Sequence, residues 1–305
     1  MGKTGRHRSI IDDISSERTL WAAWARVAAG SGMPGVDGVT PERFAGRLSD
    51  NLGRLGLLLR DGYQPQPLRS AVSNRGGRPR ELAIPTVRDR VAQRAFLEAV
   101  GPRLDADAAE SSFAYRRGRS WLDALAKTER CRDQGLRWVY RGDILAFFDS
   151  IDHEELQRTL SSRLRDPAAT ALAMAWVGAP VLSDNGLQER RVGVPTGAPI
   201  SPALANLYLD LFDRAIDGRF GRLVRYADDI AVLCPDEDSA TRAQCLVEST
   251  LVGLKLRVQP AKSYVSNFDR GFSFLGWVFF RENGFEENPG GGAWVHPMST
   301  GRGRR

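Results

Sequence analysis

Two adjacent carboxylates, Asp228 and Asp229, sit between apolar runs in Leu223-Val224-Arg225-Tyr226-Ala227-Asp228-Asp229-Ile230-Ala231-Val232-Leu233. The runs read as the two strands of a hairpin with the acids at its turn. Burying such a like-charged pair costs several kcal/mol unless cations neutralise it. A third carboxylate, Asp143, ends another strand-like run, Trp138-Val139-Tyr140-Arg141-Gly142-Asp143, with Ile144-Leu145-Ala146-Phe147-Phe148-Asp149 following. Three carboxylates from two strands can hold two Mg²⁺ ions, an arrangement suited to in-line phosphoryl transfer.

The elements that must position them follow from pattern and punctuation. Leu20 to Val27 reads as a helix with aromatic residues on one face, and Ser31-Gly32-Met33-Pro34-Gly35 breaks it. Thr40 and Pro41 open a helix carrying Leu48, Leu52, Leu55 and Leu59, which Gly62 stops. A strand-like stretch ends in the cationic hairpin tip Asn74-Arg75-Gly76-Gly77-Arg78-Pro79-Arg80, and helices are predicted over Val87 to Leu104 and Trp121 to Arg132. Asp152 with Glu155 reads as a capping box. Further helices are predicted over Pro202 to Ile216 and Ala240 to Leu254, with strands at Leu256–Val258 and Phe272–Phe280. Strands alternating with helices, with antiparallel hairpins inserted, predict an α+β fold around one central sheet.

A chain of 305 residues with 42% apolar content is long enough for one large domain or two small ones. The formal net charge is +6, and arginine far outnumbers lysine. Guanidinium favours bidentate phosphate contacts, so a nucleic-acid partner fits. The scattered Cys131, Cys234 and Cys245, with His7, His153 and His296, support neither zinc nor a disulfide framework. No apolar run approaches the ~18 residues of a membrane span. A cytoplasmic location without a membrane partner is expected. The Gly- and Arg-rich end, Gly301-Arg302-Gly303-Arg304-Arg305, reads as a disordered tail.

From about residue 34 to 280 the chain resembles reverse transcriptases of the bacterial lineage related to group II intron enzymes. The motifs occur in order: Gly35-Val36-Asp37-Gly38-Val39, Tyr63-Gln64-Pro65, Arg80-Glu81-Leu82-Ala83-Ile84-Pro85-Thr86-Val87-Arg88-Asp89-Arg90, Ser112-Phe113-Ala114-Tyr115-Arg116-Arg117-Gly118-Arg119-Ser120, Asp143 to Asp149, Gly193 to Pro202, Tyr226 to Asp229, Lys262, and Phe274-Leu275-Gly276. Two strings, Ser112 to Arg116 and Phe268 to Gly276, are most similar to reverse transcriptases associated with CRISPR adaptation. The resemblance implies a right-hand polymerase fold with fingers and an antiparallel palm sheet backed by helices. It divides the chain into an N-terminal arm and helix (1–33), fingers (34–137), palm (138–280) and a Gly/Arg-rich tail or thumb remnant (281–305). The thumb is expected to be truncated or absent, which disfavours intron splicing and implies a partner.

The same resemblance assigns roles. Asp143, Asp228 and Asp229, assisted by the Ile144 carbonyl, would hold two Mg²⁺, with Mn²⁺ as a substitute. Lys262 would protonate pyrophosphate. Phe148 would stack under the incoming sugar and exclude a 2′-hydroxyl, while Phe147 is an ordinary core ring. Arg78 and Arg80 would fold onto the triphosphate, with Thr196 and Gly197 lining the nucleotide site. Thr196 stands where the family usually has Gln, so fidelity or nucleotide affinity is expected to differ. Arg75, Arg88, Arg94, Arg116, Arg119 and Tyr226 would grip template or primer, or the arginines simply solvate a helix. Asp149 is expected to be structural and Asp152 a helix cap. The leading expectation is RNA-directed DNA synthesis from dNTPs on an RNA template and DNA primer, supplying a CRISPR integrase. A stand-alone antiphage enzyme dependent on a non-coding RNA is the alternative, and a non-catalytic nucleic-acid-binding subunit is the alternative of another class.

Overall fold

The computed structural model describes residues 9–30, 32–74, 79–280 and 285–287. The long apolar runs of the sequence become strands covered on both faces. In Asp229–Cys234, Ile230, Val232 and Cys234 pack into one hydrophobic cluster and Ala231 and Leu233 into another. That alternation is the two-residue period of a strand, and two covered faces explain why every position after Asp229 is apolar. The palm sheet runs antiparallel in the order Arg222–Tyr226, Asp229–Cys234, Trp138–Asp143, Tyr264–Asn267. In this register Asp143 lies directly across from Asp229. Helices that include Ser201–Tyr208 and Glu237–Gly253 back one face, and Trp121–Asp133 backs the other.

A second sheet pairs Leu68–Ser73 antiparallel with Arg80–Ile84 and parallel with Val181–Ser183, which turns back as Gly186–Gln188. Its hydrogen bond from Ala83 N to Thr196 O, 2.8 Å, ties this fingers sheet to the loop before Ser201. Gly35 packs so closely on the start of helix Val87–Ala106 that a Cβ there would lie 2.6 Å from the Thr86 Cα. Tyr63 donates to the buried Asp89 carboxylate, which also accepts from the Gln66 amide at 3.1 Å. The expected fingers motifs are therefore joined as one packed unit.

Several predicted elements differ. Among the described residues three sheets form instead of one, the third being Phe272–Phe274, Trp277–Phe279 and Phe285–Glu287. Phe272–Phe280 is split because Leu275 and Gly276 both take positive φ, 55° and 82°. Leu256–Val258 is not a ladder strand. Its backbone caps the sheet end instead, with Leu145 N donating to Arg257 O at 2.9 Å and Gln259 N to Asp143 O at 2.7 Å. Pro202 to Ile216 breaks at Leu209 into Ser201–Tyr208 and Asp210–Ile216. Helix Pro167–Val177 was not foreseen, because its almost wholly apolar sequence carries no amphipathic period. Asp152 does cap its helix, accepting from the Glu155 amide at 3.0 Å. No helix among the described residues is long and apolar enough to cross a membrane.

One buried charge pair ties these layers together. Arg225, fully buried on the strand before the acidic turn, gives both ends of its fork to Asp213 at 2.6 Å each. Its other donors reach Asn206 Oδ1 at 3.2 Å, Ala227 O at 2.9 Å and Ser112 Oγ at 2.9 Å. Removing the guanidinium leaves an unpaired carboxylate in the core. Arg225→Met is expected to destabilise the fold by about 3–5 kcal/mol in denaturant titration, and adding Asp213→Leu to recover most of that loss.

Candidate active site

The turn between Arg222–Tyr226 and Asp229–Cys234 is two residues long, and Ala227 takes a left-handed φ of 58° to make it. The tight turn projects Asp228 at the sheet end, and Ile144 N donates to Asp228 O at 3.1 Å, binding the second acidic segment to the first. Asp143 Oδ2 receives Lys262 Nζ at 2.9 Å. Lys262 comes from the one-turn helix Pro260–Lys262, directly after the segment that caps Asp143. Asp228 has its carboxyl pushed up to about 6, by burial first and then by the charges of Asp143 and Asp229. Lys262 works in the opposite direction.

Asp229 is placed differently from its neighbour. It is 8% exposed; Oδ1 lies 2.5 Å from Arg141 Nη2 and Oδ2 accepts from the Leu275 amide at 3.3 Å. Arg141 also donates to the Ile230 and Ser273 carbonyls and packs over the Phe274 ring. Burial raises the Asp229 pKa and Arg141 opposes it. Of the three expected carboxylates, Asp143 and Asp228 are partly exposed, whereas Asp229 is buried and engaged by Arg141 and the Leu275 amide. Among the described residues no group of three or more His, Cys, Asp or Glu side chains is arranged to hold a metal ion. The donor set still fits a hard divalent cation: two carboxylates and the adjacent Ile144 main chain offer oxygen, and the repulsion that raises Asp228 is relieved by positive charge.

The residues expected at the nucleotide lie on segments joined by main-chain hydrogen bonds. Phe147 is core, whereas Phe148 is partly exposed and meets it edge-on at 5.8 Å. Val194 N donates to Phe148 O at 2.7 Å, and a Cβ on Gly193 would come within 2.9 Å of Phe148 O, so the loop from Gly193 needs glycine there. Gly197 is exposed with φ 109°, and Thr196 is half-buried with its carbonyl held by Ala83. Arg80 is exposed at the start of its strand. Arg75 and Arg78 lie outside the described residues.

The expected nucleic-acid arginines divide. Arg116 is corrected to a scaffold residue: it donates to Asp105 Oδ1 (2.6 Å), Asp105 O (2.8 Å), Ala109 O (2.6 Å) and Ser112 O (3.0 Å). Arg119 likewise binds the Glu110 and Ser112 carbonyls and covers the Phe113 ring. Arg88 covers Tyr63 and donates to Gln64 O at 2.9 Å. Arg94 is half-buried near Glu98 and Arg26, with burial lowering its pKa. Tyr226 is buried under the turn, and burial raises its pKa. Sequence reasoning passed over Arg141 and Tyr115. Arg141 lies two residues from Asp143 on the same strand face, which was a usable signal.

The chain is 30% identical to Protein YkfC of Escherichia coli over 296 residues, covering 83% of this chain and 77% of that protein. It is 30% identical to the Group II intron-encoded protein LtrA of Lactococcus lactis, covering 59% of this chain but only 30% of LtrA. A chain of a partial Cas6-RT-Cas1–Cas2 complex superposes with TM-score 0.50 at 27% identity, covering 81% of this chain and 42% of that one. Telomerase from Candida albicans superposes with TM-score 0.59 at 14% identity, covering 82% and 50%, a likeness of fold. The chain thus spans less than half of LtrA and of the Cas6-RT-Cas1 chain. The family model described as Reverse transcriptase (RNA-dependent DNA polymerase) matches residues 72–279, from the fingers hairpin through the palm, and the chain belongs to that family.

Proposed function

We propose that this chain extends a DNA primer on an RNA template by nucleotidyl transfer from dNTPs. The observation that carries the reading is the pairing of Asp143 and Asp228 at one sheet end, bridged by the Ile144–Asp228 main-chain bond and flanked by Lys262. A divalent cation bound there supplies positive charge to the primer 3′-hydroxyl and the departing pyrophosphate. The protein holds the two carboxylates at a fixed spacing, so little reorganisation accompanies reaction. Lys262 Nζ is the proton donor to pyrophosphate, and its exposed side chain can leave Asp143 to reach it. Phe148 offers a partly exposed ring at the nucleotide flank as the barrier to a ribose 2′-hydroxyl. Arg80 contributes its guanidinium to the triphosphate.

The biological role we favour is copying RNA for spacer acquisition by a CRISPR integrase. It is supported by the likeness to the reverse transcriptase in the Cas6-RT-Cas1–Cas2 complex, which covers 81% of this chain at 27% identity. A stand-alone enzyme working with a non-coding RNA is the second reading; only its stand-alone part draws support, from the match over 77% of Protein YkfC. A non-catalytic subunit has no use for the destabilised Asp228, which burial and its acidic neighbours hold near 6.

Primer extension on an RNA template with Mg²⁺ and dNTPs tests the activity, with wild type beside Asp228→Asn. The variant should fold and lose about 10³-fold or more in rate, the several kcal/mol that metal-assisted charge stabilisation is worth; wild-type rates would reject the two-carboxylate site. Phe148→Ala should raise ribonucleotide incorporation relative to dNTPs by about tenfold or more, and an unchanged preference removes that ring from discrimination. Because Asp228 binds a proton below about pH 6, the Mg²⁺ concentration for half-maximal rate should climb as pH falls through that value. A flat requirement between pH 5 and 8, a window set by ordinary carboxylate and imidazole titration, would separate Asp228 from the metal.

A further inference from the structure

Tyr115 adopts a conformation that its own packing does not repay. Its backbone is left-handed at φ 59°, a region where a side chain is strained. Yet the residue is 48% exposed, so apolar burial is not what holds it there. Glycine would meet the turn without strain. Strain of this kind persists only where surrounding structure enforces it, and it gathers at sites that use the side chain.

The enforcement is visible on both sides. Ala114 O accepts from Asn206 Nδ2 at 2.6 Å, and Arg116 is locked by its four bonds to Asp105, Ala109 and Ser112. Phe113 N donates to Arg225 O at 2.9 Å. Asn206 Oδ1 in turn accepts from Arg225 Nη1, which also donates to Ala227 O in the turn that presents Asp228. One continuous set of hydrogen bonds therefore ties the segment of Tyr115 to the turn of Asp228. The phenol lies within electrostatic reach of Asp228, Tyr226 and Arg80. Enclosure by protein, and after it the two negative neighbours, push its pKa to about 12. A phenol hydroxyl is protonated at neutral pH, and on a side chain this exposed it is available as a donor.

We propose that Tyr115 contacts the incoming deoxynucleoside triphosphate, its phenolic hydroxyl donating to a triphosphate oxygen between Arg80 and the Asp143–Asp228 pair. This rests on the polymerase reading above and names a residue of that same site. The triphosphate is the substrate part that reaches from the carboxylates to the fingers arginine, and a neutral hydroxyl donor adds binding there without adding charge.

The test measures dNTP affinity without turnover, using a primer–template complex with a dideoxy-terminated primer, for wild type, Tyr115→Phe and Tyr115→Gly. Tyr115→Gly relieves the left-handed strain, so its melting temperature should not fall. The expected result is a dNTP Kd raised about tenfold by Tyr115→Phe, as for loss of a hydrogen bond to a charged partner, and raised further by Tyr115→Gly. Primer–template affinity should stay within about twofold, well below the effect of one such bond. On an extendable primer, Tyr115→Phe should raise the KM for dNTP and leave kcat little changed. An unchanged dNTP Kd in both variants, or a loss falling on primer–template affinity instead, overturns the proposal, as does a wild-type complex that binds no dNTP. Wild type that binds dNTP but does not extend refutes the polymerase reading while leaving the Tyr115 contact standing.

Discussion

A guanidinium with no access to water organises this molecule. Arg225 has five N–H donors and five acceptors, supplied by Asp213, Asn206, Ser112 and the Ala227 carbonyl. These partners come from two helices of the palm, from the segment after the long fingers helix, and from the acidic turn itself. A lysine could not satisfy the same set, because the fork and its planarity set the directions. Desolvating such a pair contributes little net stability. Its value is geometric, since every arrangement in which one layer slides past another strands a buried charge. The carboxylate of Asp228 inherits its position from that constraint.

Of the six non-glycine residues with positive φ among the described residues, Tyr115, Ala146, Ala227 and Leu275 all belong to segments that form or brace the site. Ala227 makes the acidic turn, Leu275 aims its amide at Asp229, and Ala146 starts the short helix bearing Phe148. Backbone strain is thus concentrated around the chemistry, where buried hydrogen bonds can hold it.

Much of this was legible in the sequence. Asp143 and Asp228 were legible as strand-end acids from the apolar runs beside them, and Lys262 only from the order of motifs, though the structure brings its Nζ to Asp143. The helix caps at Asp152 and Thr40 were legible because capping is local. What was hidden depends on distant segments meeting. Nothing near Asp229 announces that the turn at Leu275 supplies it with an amide, or that Arg141 reaches it across the sheet. Arg116 and Arg119 read as cationic surface, yet their guanidinium groups close on the carbonyls of their own loop. The strand Tyr264–Asn267 was displaced in the reading by Leu256–Val258, since Ser266 and Asn267 weaken its apolar signal and only its pairing with residues 138–141 reveals it.

Arg141 and Lys262 carry a consequence for how the protein is assembled. Each places a positive charge against a carboxylate of the site, at 2.5 Å and 2.9 Å. The acidic cluster is therefore partly neutralised from within, and the palm can fold to its final form with no ion in hand. Folding and loading become separate equilibria, unlike small metal-nucleated domains whose binding energy is their folding energy. Chelation should therefore leave the fold intact, and stability does not depend on the cation that the proposed reaction would need.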